Sequence, residues 1–317
     1  MSRFLVIPHI RFQHANALQA WWLMAPPSPM TLYGFVRALE FALKRRHPNG
    51  FSGFPGIRLA IAHHGVQWLA ATKAQDRYIK KLEGGREDKT WDVIFRNDRV
   101  IPQQPQGATY IDEQDHIGSG FAKSLQPTAR CHGEISVVVD IGDSAITLDN
   151  VRDFLWSARL GGGAITEHGA VSTPESFEEI TRIIGGGFWV SDRSDSVLQI
   201  MQKDGRDGTE ALIQALADNA QQWMAYTKAA PAQQQKMEKP ESWLSANVVG
   251  YAALEPLTAR TGVRLGAPHA YAEPLVGLIR YCSVREERQV PFWRYHTIPE
   301  KGVYLMTGRH AAYNEGE

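Results

Sequence analysis

Cysteine and net charge are both scarce in this chain. Cys131 and Cys282 are the only cysteines among 317 residues, too few for a disulfide framework or for a zinc site built from thiolates. The 34 lysines and arginines balance 34 aspartates and glutamates. This balance argues against a free-standing nucleic-acid binder, which usually carries net positive charge, but it is compatible with a subunit that has one local basic groove.

Long apolar runs are absent as well. The run Phe4–Ile10 is short and is interrupted by Pro8 and His9, and no stretch approaches the length that crosses a bilayer. The hydrophobic fraction of 43% is ordinary for a globular protein. We therefore expect a soluble, cytoplasmic protein without a membrane partner, built as one large domain or two small ones.

Motifs for cofactors and catalysis are also missing. No phosphate-binding loop or dinucleotide fingerprint occurs in its required strand-to-helix setting. The histidines pair along the chain as His9 with His14 and His63 with His64, but neither spacing lies on a helix with a carboxylate at zinc-ligand distance. The sequence therefore predicts no cofactor, no metal site and no catalytic residue.

The best-defined element is a helix that starts after Ser28 and ends before Pro48. Ser28 can cap the free N–H groups, and Pro29 occupies the first position, where its missing donor costs nothing. Gly34 lies in the middle of the helix, which predicts that another group approaches the backbone there. One apolar stripe should face a core, and a charged set should face solvent: Leu32, Phe35, Val36, Leu39 and Leu43 for the stripe, and Arg37, Glu40 and Lys44 for the solvent face.

A strand over residues 3–12 precedes this helix, and a polar segment, residues 11–16, joins the two. We call that segment the elbow. Strict alternation predicts two faces for the strand: Phe4, Val6, Pro8, Ile10 and Phe12 on one, and Leu5, Ile7, His9 and Arg11 on the other. Gln13, His14 and Asn16 follow at the strand's end, where loops carry function. They can either contact a ligand or only cap the turn.

The order of elements up to residue 172 predicts an α+β fold with a ferredoxin-like βαββαβ core. The helix is followed by a strand at 56–62 with a hairpin partner at 65–71, then by a strand at 130–141, a helix from Thr147 to Leu160 and a strand at 164–172. RNA-recognition modules use this fold. We expect residues 1–172 to form an RNA-binding domain with an insertion at about 72–128, and residues 173–317 to add a helical and strand region packed on it.

Part of the insertion mixes basic, acidic and aromatic residues. Tyr78 and Trp91 lie among lysines and arginines that include Arg96 and Arg99. Mixed charge is usually a solvated surface. The alternative is an excursion that grips a phosphate backbone and stacks bases on its aromatic rings. The sequence leaves both interpretations open.

Six landmarks occur in one order along the chain. The first combines Q-x-A-N-A, P-S-P and G-F-V-x-A-L between residues 13 and 39, and the second is H-G-E-I-S-V-V-V at 132–139. The others are R-L-G-G-G-A-I at 159–165, G-F-W-V-S at 187–191, G-Y-A-A-L-E-P-L at 250–257 and K-G-V-Y at 301–304. With these landmarks the sequence resembles the second Csy subunit of the type I-F CRISPR surveillance complex, a Cas5-like member of the repeat-associated (RAMP) superfamily.

The resemblance implies a non-catalytic subunit that holds the 5′ handle of the crRNA beside a large, first Csy subunit and a backbone, third Csy subunit, and that meets target DNA through the assembled complex. We expect it to contact RNA with the elbow, with arginines and with the glycine turn after the second helix: Arg11, Gln13, His14, Asn16, Arg37, Arg96, Arg99, Arg159, Gly161, Gly162 and Gly163. The alternatives are a RAMP endoribonuclease that cuts precursor crRNA, for which His14 or His9 would be the general base, and a purely structural subunit.

Overall fold

The computed structural model describes residues 3–20, 23–47, 50–69, 130–241, 243–263 and 266–308. The expected insertion, with Arg96 and Arg99, lies outside these residues. The described chain is α+β, with a ten-stranded antiparallel sheet and six α-helices. The strands are β1 Phe4–Asn16, β2 Leu18–Ala20, β3 Leu23–Met24, β4 Arg58–Trp68, β5 Arg130–Asp140, β6 Arg159–Leu160, β7 Gly163–Glu167, β8 Phe188–Asp192, β9 Leu244–Ala253, β10 Ala272–Ser283, β11 Trp293–Ile298 and β12 Val303–Thr307. The helices are α1 Pro29–Arg46, α2 Leu148–Ser157, α3 Phe177–Ile184, α4 Ser194–Asp204, α5 Gly208–Lys228 and α6 Pro231–Gln234.

Helix α1 has the caps and the buried stripe that the sequence predicts. The Thr31 N–H donates to Ser28 Oγ over 3.1 Å, and all five residues of the apolar stripe are buried. The solvent face was predicted wrongly at Glu40, which is only 5% exposed. Its carboxylate accepts the Phe54 N–H over 2.9 Å and pairs with Arg37. The segment after the helix folds back over Glu40, a contact that helical periodicity cannot anticipate.

Strand β1 changes its inward face twice. The pairing of β1 with β5 shifts register between Ile7 and Ile10 and again between Phe12 and Ala15. At each shift a histidine adopts a left-handed backbone, with φ 53° at His9 and 57° at His14. Each shift is a β-bulge, which adds a residue and reverses the alternation. The predicted faces are therefore wrong beyond Ile7: a single core cluster takes residues from both predicted faces, namely Leu5, Ile7, Ile10 and Phe12.

The described part of the predicted hairpin at 56–71 contains one strand, Arg58–Trp68, and no turn between two strands. Strand β4 pairs with β5 from Leu59 to Trp68 with a register shift near Gly65, so Gly65 lies at a bulge and not in a turn. Within the large sheet, β4, β5, β1 and β7 are neighbours in that order, and all their pairings are antiparallel. Helices α1 and α2 contact each other and pack on one face of these strands.

Five further strands continue the sheet from β4 and close it into a ring of six. Strand β4 pairs with β8 near its middle and with β11 near its start, and the pairing runs on through β10, β9 and β12 back to β11. Trp293 is fully buried at this closure, and its indole N–H donates to the Val190 carbonyl over 2.7 Å. Two strands after residue 173, β8 and β11, thus pair directly with β4, and the sheet is continuous across the predicted domain boundary. The boundary itself stays a prediction.

The two faces of the sheet bury different sets of side chains. The face under α1 and α2 carries the largest cluster. The opposite face carries a smaller cluster around Val6, Val138 and Trp189, covered by Ile180 and Ile184 of α3. Helices α4 and α5 lie over β9 and β10. Beyond the cover of α3, the opposite face becomes polar, and the bulged histidines of β1 lie at that end.

Candidate nucleic-acid interface

The elbow and the glycine turn, Gly161–Gly163, interlock. The Asn16 N–H donates to the Gly161 carbonyl over 2.8 Å, and Gln13 pairs with Ala164 at the start of β7. A methyl group on Gly163 would lie 2.6 Å from the Ala15 nitrogen and closer still to the Gln13 carbonyl oxygen. Only a glycine lets two backbones approach so closely. The structure therefore brings together two segments that the sequence analysis expects to contact RNA.

Asn16 shapes the turn that leaves the elbow. Its Oδ1 accepts the Leu18 N–H over 3.2 Å, and its Nδ2 donates to the Leu18 carbonyl over 3.0 Å. Gln19 adds a bond to the Asn16 carbonyl over 2.9 Å. These contacts are those of an Asx-type turn and match the alternative in which the side chain only caps the turn. The RNA contact predicted for Asn16 stays a prediction.

Three exposed side chains of the interface make few contacts within the described part of the chain. Gln13 is exposed, and its amide makes no hydrogen bond within the described part of the chain. Arg159 reaches only the Gly162 carbonyl over 3.3 Å and has no carboxylate partner among the described residues. His14 packs edge-on against His132 with ring centroids 4.8 Å apart, and Arg130 donates to its carbonyl. These groups are available to an incoming ligand.

The other two predicted arginines of the described chain are engaged. Arg11 is exposed but donates to Glu134 over 2.8 Å and to Glu167 over 2.6 Å, and both acids raise the pKa of its guanidinium. Arg37 pairs with Glu40 and lies over the Phe41 ring, 4.8 Å from its centroid. Both of these partners lie on α1 itself and neither belongs to the elbow. The RNA contacts predicted for both arginines stay predictions.

Sequence reasoning missed a polar cluster at the first bulge of β1. His9 Nδ1 lies 2.7 Å from Glu134 Oε1, the His9 and His64 rings lie 4.4 Å apart, and Ser136 Oγ lies 2.7 Å from His64 Nε2. Burial lowers the pKa of His64, and the nearby His9 adds to this effect. Burial opposes ionisation of Glu134, yet hydrogen bonds from Arg11 and His9 outweigh it and lower its pKa. The histidine pairs join different strands, which spacing along the chain could not reveal.

One family model matches this chain, over residues 118–306, and its description is CRISPR-associated protein (Cas_Csy2). The match covers more than half of the sequence and includes the landmarks from 132–139 to 301–304. The chain belongs to the Csy2 family, whose members are subunits of the type I-F CRISPR complex. The resemblance noted in the sequence is therefore confirmed.

The Csy2 family match does not extend over the whole chain. It includes the glycine turn and Glu134, whereas the elbow and α1 precede it. Comparison with curated proteins gives no match. Among the described helices, none has both the length and the apolar character needed to cross a membrane. Membership in a multi-subunit Csy complex follows from the family, and the ligand of the interface is a separate question.

Proposed function

We propose that this Csy2-family chain holds the 5′ handle of the crRNA along the elbow and the glycine turn, without cutting it. The observation that carries the proposal is the interlock of these two segments around Gly163. It makes a rigid backbone surface, which we call the ledge, lined by the Gln13 amide, the His14 imidazole and the Arg159 guanidinium. Proteins read single-stranded RNA with such side chains, because its unstacked bases and its phosphates are both accessible.

The roles within this interface follow from what each side chain already does. Gln13 has a free amide that can pair with a base edge, and Arg159 has a guanidinium free to meet a phosphate. Gly162 is exposed at φ 80°, with open space around its α-carbon. Arg11 and Asn16 hold the shape of the elbow through their own contacts. Arg37, whose partners lie on α1, would act on RNA away from this ledge. Arg96 and Arg99 lie outside the described residues, and their RNA contacts stay predictions.

The strand order supports a ferredoxin-like core as the scaffold for this role. In a βαββαβ unit the first and third strands are central, with the second and fourth at the edges, and both helices lie on one face. The order β4-β5-β1-β7, with α1 and α2 on one face, agrees with that arrangement. Strand β1 is then central, and its end delivers the elbow near the middle of this four-stranded unit.

Exposed apolar side chains support docking to the large subunit and to the backbone subunit. Trp156 at the end of α2 is 88% exposed. Leu254, Leu257 and Tyr271 form another exposed group on the connection between β9 and β10, where the Leu254 N–H donates to the Tyr271 carbonyl over 2.8 Å. Protein interfaces are enriched in large apolar and aromatic side chains, which rarely cluster on a free surface.

Binding of a synthetic RNA that carries the repeat-derived 5′ handle tests the RNA role. Gln13→Ala should weaken binding of the handle by about 1–3 kcal/mol but leave binding of a scrambled RNA unchanged. Arg159→Ala should weaken both RNAs and reduce the salt slope by about one unit. Arg182→Ala, which removes an exposed arginine of α3, a helix that contributes no residue to the ledge, is the matched control. If all three variants bind the handle alike, the ledge is not the RNA site.

Co-expression with the large subunit tests docking separately. Leu254→Ser and Leu257→Ser in one chain should reduce the yield of the co-purified pair, and the free chain should keep its melting temperature because both side chains are already in solvent. A normal yield with this double variant and also with Trp156→Ser would contradict docking through these apolar groups.

An endoribonuclease is the second candidate, and the His9–Glu134 hydrogen bond favours it, because a general base is commonly oriented by a carboxylate. Incubation with full-length repeat RNA, with and without divalent metal, should leave the RNA intact. Specific cleavage that disappears in His9→Ala or His14→Ala would replace the non-catalytic assignment with this one.

A further inference from the structure

We propose that His9, His64 and Glu134 form a binding site for a transition-metal dication such as Zn²⁺. One ligand atom from each residue lies within 4.8 Å of the other two. The three residues come from β1, β4 and β5, adjacent strands of the sheet. Two imidazoles and one carboxylate are a recurrent zinc set, and three protein ligands leave a fourth position for water or an anionic oxygen.

The backbone is arranged to bring the ligands together. His9 has φ 53°, a left-handed conformation that costs a non-glycine residue free energy and persists only where the surroundings enforce it. The enforcing contact is the His9 N–H, which donates to Ser136 Oγ over 2.9 Å. The same hydroxyl lies 2.7 Å from His64 Nε2, so one buried serine holds both histidines in place. Without the bulge, His9 would follow the ordinary alternation of β1.

The surrounding charges are compatible with a dication. Arg11 donates to the second oxygen of Glu134 and leaves the first oxygen facing His9. Ligating carboxylates are commonly fixed by such a bond from outside the metal's own ligands. Glu167 pairs with the same guanidinium, so two carboxylates face one arginine and the group is net negative when its imidazoles are neutral.

Access to the site is open. The side chains of His9 and Glu134 are 40% and 24% exposed, so an ion can reach them without rearrangement of the core. The second histidine pair, His14 and His132, lacks a third ligand: no carboxylate joins it in a metal-binding group within the described ranges. It therefore serves as an internal control for metal binding by surface histidines in general.

Equilibrium dialysis of the untagged, full-length protein against Zn²⁺ tests the site. We expect saturable binding of one ion per chain that is weakened at least about tenfold in His9→Gln, His64→Gln and Glu134→Gln, because loss of even an outer partner of a ligand costs about 10–100-fold. His132→Gln should bind as the parent does. Absence of saturable binding, or equal losses in His132→Gln, would overturn the proposal, and the group would be only an ion pair.

A second measurement needs no variant and remains informative if a substitution disturbs folding. The X-ray absorption spectrum at the zinc edge of the loaded parent protein should show nitrogen and oxygen ligands at about 2.0–2.2 Å with the multiple scattering of imidazole. A spectrum of hydrated zinc, or one dominated by sulfur from Cys131 or Cys282, would also overturn the proposal.

Discussion

Gly163→Ala should destabilise the protein by forcing the elbow and the glycine turn apart. The added methyl group would lie 2.6 Å from the Ala15 nitrogen and 2.8 Å from its α-carbon. These are backbone atoms, so no side-chain rotation can relieve the clash. Overpacking of this kind costs about 1–3 kcal/mol, and loss of the bond from Asn16 to Gly161 adds about 1 kcal/mol. We therefore expect a loss of about 2–4 kcal/mol.

Thermal unfolding followed by circular dichroism measures this loss. With about 2.1 cal/mol/K of unfolding entropy per residue, the melting temperature should fall by about 3–6 °C if the whole chain unfolds as one unit. Gly65→Ala is the matched control, because it also changes a strand glycine but its methyl group would meet nothing within 4 Å. Equal melting temperatures for the two variants would refute the interlock and, with it, the ledge proposed to hold RNA.

Three further variants probe separate features of the fold. Gly34→Ala should raise the free energy of unfolding by about 0.5–1 kcal/mol, because Gly34 is exposed within α1 and a methyl group there meets nothing within 4 Å. Ser28→Ala should cost about 1 kcal/mol through loss of the α1 cap. Burial, followed by the charge of His64, lowers the pKa of His63 to about 4. Below about pH 6.5 the unfolded chain therefore binds a proton at His63 that the folded chain does not bind. The free energy of unfolding is full above that pH and falls by about 3 kcal/mol as the pH drops toward 4. His63→Leu should remove this loss.

Each of these predictions has its own control. Thr147→Ala removes a residue at the N-cap of α2 whose side chain makes no capping bond in the described structure, so it should cost less than Ser28→Ala. Denaturant titrations at pH 7.5 and pH 4.5 test His63→Leu, and the same pH-dependent loss in parent and variant would contradict the pKa assignment. A lower stability for Gly34→Ala would show that a group outside the described residues occupies that surface, as the sequence first indicated.

Local chemistry was sufficient for the elements whose contacts are close in sequence. Helix α1 could be predicted residue by residue, because its cap, its first proline and its apolar stripe all act within a few turns. The order of the landmarks likewise indicated the family that residues 118–306 confirm. The same reasoning failed at Glu40, where the partner is the Phe54 backbone of a segment that folds back later.

The sequence predicted some residues of the candidate site but not how they come together. The polar side chains from Gln13 to Asn16 predicted a functional elbow after a strand that was expected to end at Phe12, whereas β1 runs on to Asn16. The glycine turn was predicted as an RNA contact only through the family resemblance. Their mutual approach, the two bulges of β1 and the cluster of His9, His64 and Glu134 depend on how β1, β4, β5 and β7 pair. The physical reason is the two-residue period of a strand: one extra residue at a bulge reverses every later side chain, and only the partner strands decide where that residue is accommodated.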